Sequence, residues 1–295
     1  MKPRGELRAT LVGLGFLSPW LIGFLLFTLV PVALSFYYSL CDYTLLQPPV
    51  YRGLENYKTL AGDPVFWQAL RNTAVYGVVA LPLGLIVALA IAMLLNSRVP
   101  GVSIYRAIVF LPSVVPVVAS AMLWLWLLNS RLGLVNTILK GLGVDDPPGW
   151  LTDVRWAMPA LILTSLWGVG NTVVIYLAGL QDVPRELYEA ADIDGASGAR
   201  KIWHVTLPAI SPVIFFNLIM GIIGTLQVFA APYILTAGGP SRSTYFFTMY
   251  LYDNAFSYLK MGYASAMAWV QLVLILILTA LATWTGRHWV HYQGR

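Results

Sequence analysis

The sequence predicts an all-α integral membrane protein with six transmembrane helices. Three observations carry the prediction. Of 295 residues, 58% are apolar and only 11% charged, against roughly 25% charged in soluble domains. Asp, Glu, Lys and Arg are absent from Ala9–Cys41, Asn72–Ser97, Ala107–Ser130, Trp156–Gln181, Ile202–Ser241 and Met261–Gly286. Each run exceeds the roughly 20 helical residues that cross a hydrocarbon core. Helices satisfy their own backbone polar groups, and the alternating ten-residue segments of a membrane β-barrel do not occur. One transmembrane domain is expected, with spans near 11–40, 73–95, 107–129, 156–180, 209–231 and 263–286 and a polar loop at 181–208.

The first span follows Lys2, Arg4 and Arg8, as a signal peptide would. Its apolar part is far longer than a signal's roughly 7–15 residues, so a retained helix is expected. Orientation follows the basic residues. The side holding both termini, 97–106 and 181–208 carries 10 basic residues in 57, and the other side carries 8 in 90. This density places both termini in the cytoplasm of a multi-pass protein of the cell (inner or plasma) membrane. The net charge of +5 reflects that bias and implies no nucleic acid.

The spans hold no ionisable Asp, Glu, Lys or Arg, the groups that mark proton and ion pathways. The single cysteine, Cys41, allows no internal disulfide and no cysteine-based metal cluster. His204, His288 and His291 fall at the expected cytoplasmic edges. No H-E-x-x-H and no G-x-x-x-x-G-K-[ST] phosphate loop occurs. No catalytic residue, metal site or resident cofactor is therefore predicted, and the chain has no means of using ATP by itself.

Uncharged polar groups remain inside the spans. Asn171 and Thr172 lie in the fourth beside Gly168 and Gly170, Asn217, Thr225 and Gln227 in the fifth, and Gln271 in the sixth. Buried amides need partners, so they serve helix–helix hydrogen bonding or line a path for a hydroxylated solute. Thr225 and Gln227, two apart on a helix, point in nearly opposite directions. Trp124, Trp126, Trp150 and Trp156 suit an interfacial aromatic belt or, alternatively, sugar stacking. Pro82, Pro112, Pro116, Pro159, Pro212 and Pro232 predict kinks or ends.

The loop 181–208 is polar on a chain otherwise poor in charge. Asp182 is expected to cap a helix opened by Pro184, with Glu186 and Glu189 near its positive end. Leu187, Ala190 and Ala191 form its apolar edge, and Gly195 stops it in the left-handed conformation. Ser197 then caps a second helix, 198–206, containing Arg200, Lys201 and His204. The product is a helix–turn–helix whose exposed edge combines small and charged residues. A bare headgroup-binding loop would carry larger apolar residues and more lysine.

The spacing Glu189-Ala190-Ala191, three residues, Gly195, nine residues, Val205-Thr206-Leu207-Pro208 resembles the EAA loop of permease subunits of binding-protein-dependent ABC importers. Val205 stands where the family has Ile. Leu235-Thr236-Ala237-Gly238-Gly239-Pro240 with Ser243-Thr244, then Tyr250-Leu251-Tyr252, Ala255-Phe256 and Gly262-Tyr263-Ala264-Ser265-Ala266, is similar to the carbohydrate branch. So is Gly53-Leu54-Glu55-Asn56-Tyr57. The whole looks like a first permease of the maltose/glycerol-3-phosphate type.

This resemblance implies a six-helix type I importer core. It implies ATPase coupling through Glu189, Ala190, Ala191, Asp192, Gly195, Leu207 and Pro208, and a substrate pathway at Trp167, Asn171, Thr172, Thr225 and Gln227. The partners it implies are a dimer of ATPase subunits holding ATP and Mg, a second and different permease chain, an extracytoplasmic solute-binding protein, a sugar and the lipid bilayer. Alternatives are a stand-alone channel or facilitator, which needs no acidic insert at 184–206, and an importer permease for a non-sugar solute. A membrane enzyme lacks any catalytic constellation.

Overall fold

A computed structural model describes residues 4–97 and 100–291, with side chains from residue 10 onward. Lys2, Arg98 and Arg295, counted in the orientation argument, lie outside the described residues. The chain is helical almost throughout and divides into two compact units, 1–63 with 251–270, and 64–250 with 271–295.

Three expected spans are continuous helices, Thr10–Ser39, Pro64–Leu95 and Met261–Gly286. The other three are broken. Val102–Val114 meets Val117–Leu127 at 98°, Val154–Leu166 meets Gly170–Gln181 at 47°, and Gly198–Ala209 meets Ser211–Leu226 at 67°. In the third span, helices of 13 and 11 residues meet at nearly a right angle, a sharper departure than a proline kink. The break falls at Val115, which is extended before Pro116, because the residue preceding a proline is driven out of the α region. Pro82 and Pro159 remain inside unbroken helices. The fourth span breaks at Trp167–Val169, around Gly168 and without a proline. The fifth helix ends at Leu226, short of residue 231, and the chain resumes as Ala230–Thr236.

In the first unit the residues Gly53 to Tyr57 build a plug. Gly53 has φ +63, and the helix Glu55–Gly62 follows it. Asn56 Nδ2 donates to the carbonyls of Ser39 (2.9 Å) and Cys41 (2.8 Å). These lie at the end of the first span, where helix carbonyls lack internal partners. Tyr57 Oη donates to Ser39 Oγ at 2.8 Å. Cys41–Asp42 pairs antiparallel with Val50–Tyr51, Cys41 opposite Tyr51. Gly262 donates its N–H to Tyr43 O, and a Cβ there would run into the Cys41 carbonyl. Of the segments that carry the carbohydrate-branch resemblance, residues 53–57 cap the end of the first span and Gly262 packs against it.

In the second unit small residues let helices close on one another. Ala88 and Ala92 of Pro64–Leu95 pack with Val173, Tyr176 and Leu180 of Gly170–Gln181, and with Ile210. Gly77 faces Thr225, and Gly179 faces Val213. A second cluster joins Tyr76, Ala80, Ala121, Leu161, Phe246 and Met249. The Thr236–Tyr245 turn is tied down internally. Thr244 Oγ1 lies 2.7 Å from Thr236 Oγ1 and 2.6 Å from Gly239 O. Asn72 Nδ2 donates to Arg242 O (2.8 Å) and Tyr245 O (3.1 Å).

Candidate functional site

Two regions of the second unit hold the predicted site residues. The first is the loop after the fourth span. The helix Arg185–Ile193 begins at Pro184, whose backbone is extended, with no side-chain cap. Asp182 instead closes the preceding helix, Gly170–Gln181. The reason is local: Val183 and Pro184 separate Asp182 from the new helix, so its carboxylate stands too early to reach the first free N–H groups. Ser197 sits at the N-cap of the second helix, also without a side-chain bond.

The turn forms as its glycine predicts. Gly195 has φ +74. Its N–H donates to Asp192 O (3.1 Å), and that of Ala196 donates to Ala191 O (2.9 Å). These two bonds complete the glycine stop of a helix. Tyr188 Oη and Thr206 Oγ1 meet at 3.0 Å, and Lys201 Nζ pairs with Asp192. The two helices are thus joined by a turn, a hydrogen bond and an ion pair.

Glu186, Glu189, Ala190 and Ile193 recur at helical spacing on the open face of the first helix, and all are exposed. Ile193 is 88% exposed, and it extends the edge that Glu189 and Ala190 begin. Ala191 is half-buried, and so are Leu207 and Pro208, which lie in the second helix just before its 67° break. Of the expected coupling residues, Glu189, Ala190, Asp192 and Gly195 are open to contact.

Replacing Gly195 by valine adds no clash, since nothing lies within 4 Å of its Cβ position. The effect is purely conformational, at about 1–2 kcal/mol for an L-residue in the left-handed region and more with a β-branch. Gly195→Val is expected to lower recovery of the folded protein from membranes several-fold, and Gly195→Asn, which tolerates positive φ, to restore most of it. Equal recovery of the valine and glycine forms would mean that the turn places no conformational demand on residue 195.

The second region is a pair of adjoining cavities. One, of about 230 Å³, is walled by Ser113, Trp124, Thr164, Ser165, Trp167 and Asn171 among others. Its neighbour, of about 400 Å³, includes Asn171, Thr172, Asn217 and Thr225. Tyr76, Ser165 and Asn171 line both. No charged side chain lines either cavity.

Among the expected pathway residues, Trp167, Asn171, Thr172 and Thr225 come together here, and Gln227 does not line either cavity. The helix ends at Leu226, leaving Gln227 as its terminal residue. Thr225 Oγ1 donates to Gly221 O at 2.8 Å, which leaves its oxygen as an acceptor. Asn217 likewise turns back to Val213 O, at 2.9 Å. Gln271 is a packing residue, donating to Leu226 O (2.7 Å) and Thr248 Oγ1 (3.1 Å). Trp150 is one too: its Nε1 donates to the buried Asn136 Oδ1 at 2.7 Å, and its ring meets Trp156 edge-on. Among the described residues no group of three or more His, Cys, Asp or Glu side chains is placed to hold a metal ion.

Composition leaves Trp124 between the interfacial belt and sugar stacking. The structure separates it from Trp126, which is 61% exposed, and places it in the cavity wall. The two lie two residues apart on one helix and so face different surroundings, a distinction composition does not carry.

Residues 80–290 match the family model of the binding-protein-dependent transport system inner membrane component. The sulfoquinovosyl glycerol transport system permease protein SmoG of Agrobacterium fabrum is 34% identical over 94% of this chain and 90% of its own. The lactose transport system permease protein LacF of Rhizobium radiobacter is 35% identical, covering 92% and 93%. A chain in the crystal structure of a bacterial ABC transporter that imports the acidic polysaccharide alginate superimposes with a TM-score of 0.85 at 25% identity, over 96% of this chain and 98% of that one.

Proposed function

The chain belongs to the inner membrane components of binding-protein-dependent ABC importers, and from that membership we propose that it carries a sugar, or a related polyol or oligosaccharide, through the paired cavities. As a transport subunit it performs no chemistry; ATP hydrolysis belongs to a separate ATPase subunit. The single observation that supports the carbohydrate reading is the lining. Hydroxyls and the Asn171 amide line both cavities, Asn217 adds a second amide to the larger and two indole rings wall the smaller, all without a formal charge. Such a surface offers hydrogen bonds and aromatic faces to a neutral hydroxylated solute. It offers no counter-charge to an amino-acid zwitterion and no ligand set to a metal ion. The relative named for lactose transport points the same way.

In this reading both termini and the helix–turn–helix 181–208 face the cytoplasm. The exposed edge from Glu186 to Ile193 seats on one subunit of an ATPase dimer, which holds ATP and magnesium. A second, different permease chain completes the pathway, and an extracytoplasmic binding protein delivers the solute. Each partner must favour one of two global states, since an equal preference shifts nothing. Motion at the docking edge reaches the cavities through Ile210. That residue sits at the 67° break and packs with Tyr176 and Val173 on the helix that carries Asn171.

The test is ATP-dependent uptake by the complete transporter reconstituted in vesicles, with a panel of neutral sugars beside amino acids. Sugar uptake is expected; uptake of amino acids alone would overturn the reading. Within the same assay Asn171→Leu should slow uptake on the order of ten-fold, the size of one or two lost hydrogen bonds, with ATPase subunits still co-purifying. Gln227→Leu should stay near the unmodified rate. The reverse ranking would move the pathway to the end of the fifth helix.

A further inference from the structure

We propose that Trp124 is a specificity-determining residue of the solute pathway, its indole N–H kept for an oxygen atom of the passing solute. The proposal rests on the sugar reading above and adds a contact from the third span, which the resemblance does not assign to the pathway.

The first observation is an unspent donor. Trp124 Nε1 is buried and has no hydrogen-bond partner among the described residues. A buried indole N–H normally finds one, and leaving it without one costs about 1–3 kcal/mol. Arg106 Nε and Ser243 Oγ are also buried without a partner among the described residues, but neither lines a cavity, and the indole N–H of Trp150 is satisfied by Asn136.

The second observation is the company it keeps. The Trp124 ring stands edge to face against Trp167, with centroids 6.1 Å apart and planes at 86°. Both rings wall the smaller cavity. Three of the hydroxyl donors around them are already used within their own helices. Ser113 Oγ donates to Phe110 O (2.6 Å), Thr164 Oγ1 to Leu161 O (2.9 Å) and Ser165 Oγ to Ile162 O (2.7 Å). Those three oxygens remain acceptors. The donors left on this wall include the Asn171 amide and the Trp124 N–H.

A sugar hydroxyl both donates and accepts, so it complements such a wall: it donates to the hydroxyl oxygens and accepts from the amide and the indole. The aromatic corner meets the apolar C–H face of the ring. Trp124 also lies about two helical turns beyond the 98° break at Val115–Pro116. Rotation at that break re-aims the indole, so the donor is shielded in one state of the transporter and presented in another.

The experiment uses the complete reconstituted transporter at saturating sugar-loaded binding protein. Lactose, maltose, trehalose and cellobiose are offered first, and the carried disaccharide is then compared with its monodeoxy analogues. Trp124→Phe removes the N–H, and benzothienylalanine at the same position removes it while keeping the bicyclic ring. Unmodified transporter should prefer the parent sugar over one monodeoxy analogue about ten-fold. Both replacements should bring that one preference close to unity and leave the other preferences in place. ATPase stimulation by the loaded binding protein should persist, and Trp126→Phe should keep the parent rate. A replacement that retains every preference overturns the proposal. So does one that slows all analogues in the same proportion, the signature of a packing role. If none of the four is carried by unmodified transporter, the sugar found in the uptake panel serves as the parent; uptake of no sugar at all overturns the sugar reading, and this proposal with it.

Discussion

Glu189→Lys is expected to leave the chain folded in the membrane while reducing recovery of the ATPase subunits more than about thirty-fold and uptake to background. Glu189 is exposed and makes no hydrogen bond or ion pair among the described residues. Its loop is held by other groups: Tyr188 with Thr206, Lys201 with Asp192, and the Gly195 turn. Reversal near a helix N-terminus costs the isolated chain only about 0.3–1 kcal/mol. A charge reversed inside a docked, desolvated interface costs about 2–5 kcal/mol, which is where the thirty-fold arises. The measurement is co-purification of ATPase subunits with the variant permease, set beside its thermal melting. A variant that melted several degrees lower would assign Glu189 to the fold. One that retained its ATPase subunits and transported normally would remove the docking edge from the proposed mechanism.

What could be read from the chain divides along a physical line. The helix–turn–helix was legible because its determinants are local. Gly195 needs positive φ and has it, and the Glu186, Glu189, Ala190 stripe needs only helical spacing to be exposed. The six apolar runs were legible from composition, since a membrane demands length and the absence of charge. Their continuity was not. Pro82 is carried inside a 32-residue helix, while Pro116 follows a right-angle break. Whether a proline kinks or breaks a helix depends on which neighbours satisfy the freed carbonyls, and that is tertiary information. The fourth span breaks with no proline at all. The Asp182 cap failed for a local reason that boundary signals blur: two residues decide which helix end a carboxylate can serve. Asn56 was readable as part of a resemblance but not as the amide that closes Ser39 and Cys41. Its partners lie 17 and 15 residues back in the chain. Trp124 needed coordinates for the same reason, because an unpaired donor is defined by everything around it.

Gly170→Ala should be the most damaging single-methyl addition near the cavities, and Gly168→Ala, two residues earlier, close to neutral. Both glycines lie at the 47° break of the fourth span. A Cβ on Gly170 would stand 2.8 Å from Val109 O, 3.0 Å from Ser113 Oγ and 3.2 Å from Phe110 Cα. Two of these are backbone atoms that cannot rotate aside, so the helix Gly170–Gln181 must move off Val102–Val114. On Gly168 the nearest atom is 3.8 Å away, an ordinary contact. Glycine to alanine by itself favours a helix by roughly 0.5–1 kcal/mol, so the sign of each change depends on the space available. Overpacking costs about 1–3 kcal/mol and outweighs that gain at Gly170 alone. The displaced helix begins with Gly170 and carries Asn171 as its next residue, so the damage extends from stability to function. Gly170→Ala should lower the melting temperature by several degrees and slow uptake at least ten-fold, and Gly168→Ala should do neither. Matching melting curves for the two variants would mean that the helices do not approach as closely at Val109 as the fold requires. Lowered melting with undiminished uptake would separate Asn171 from the solute.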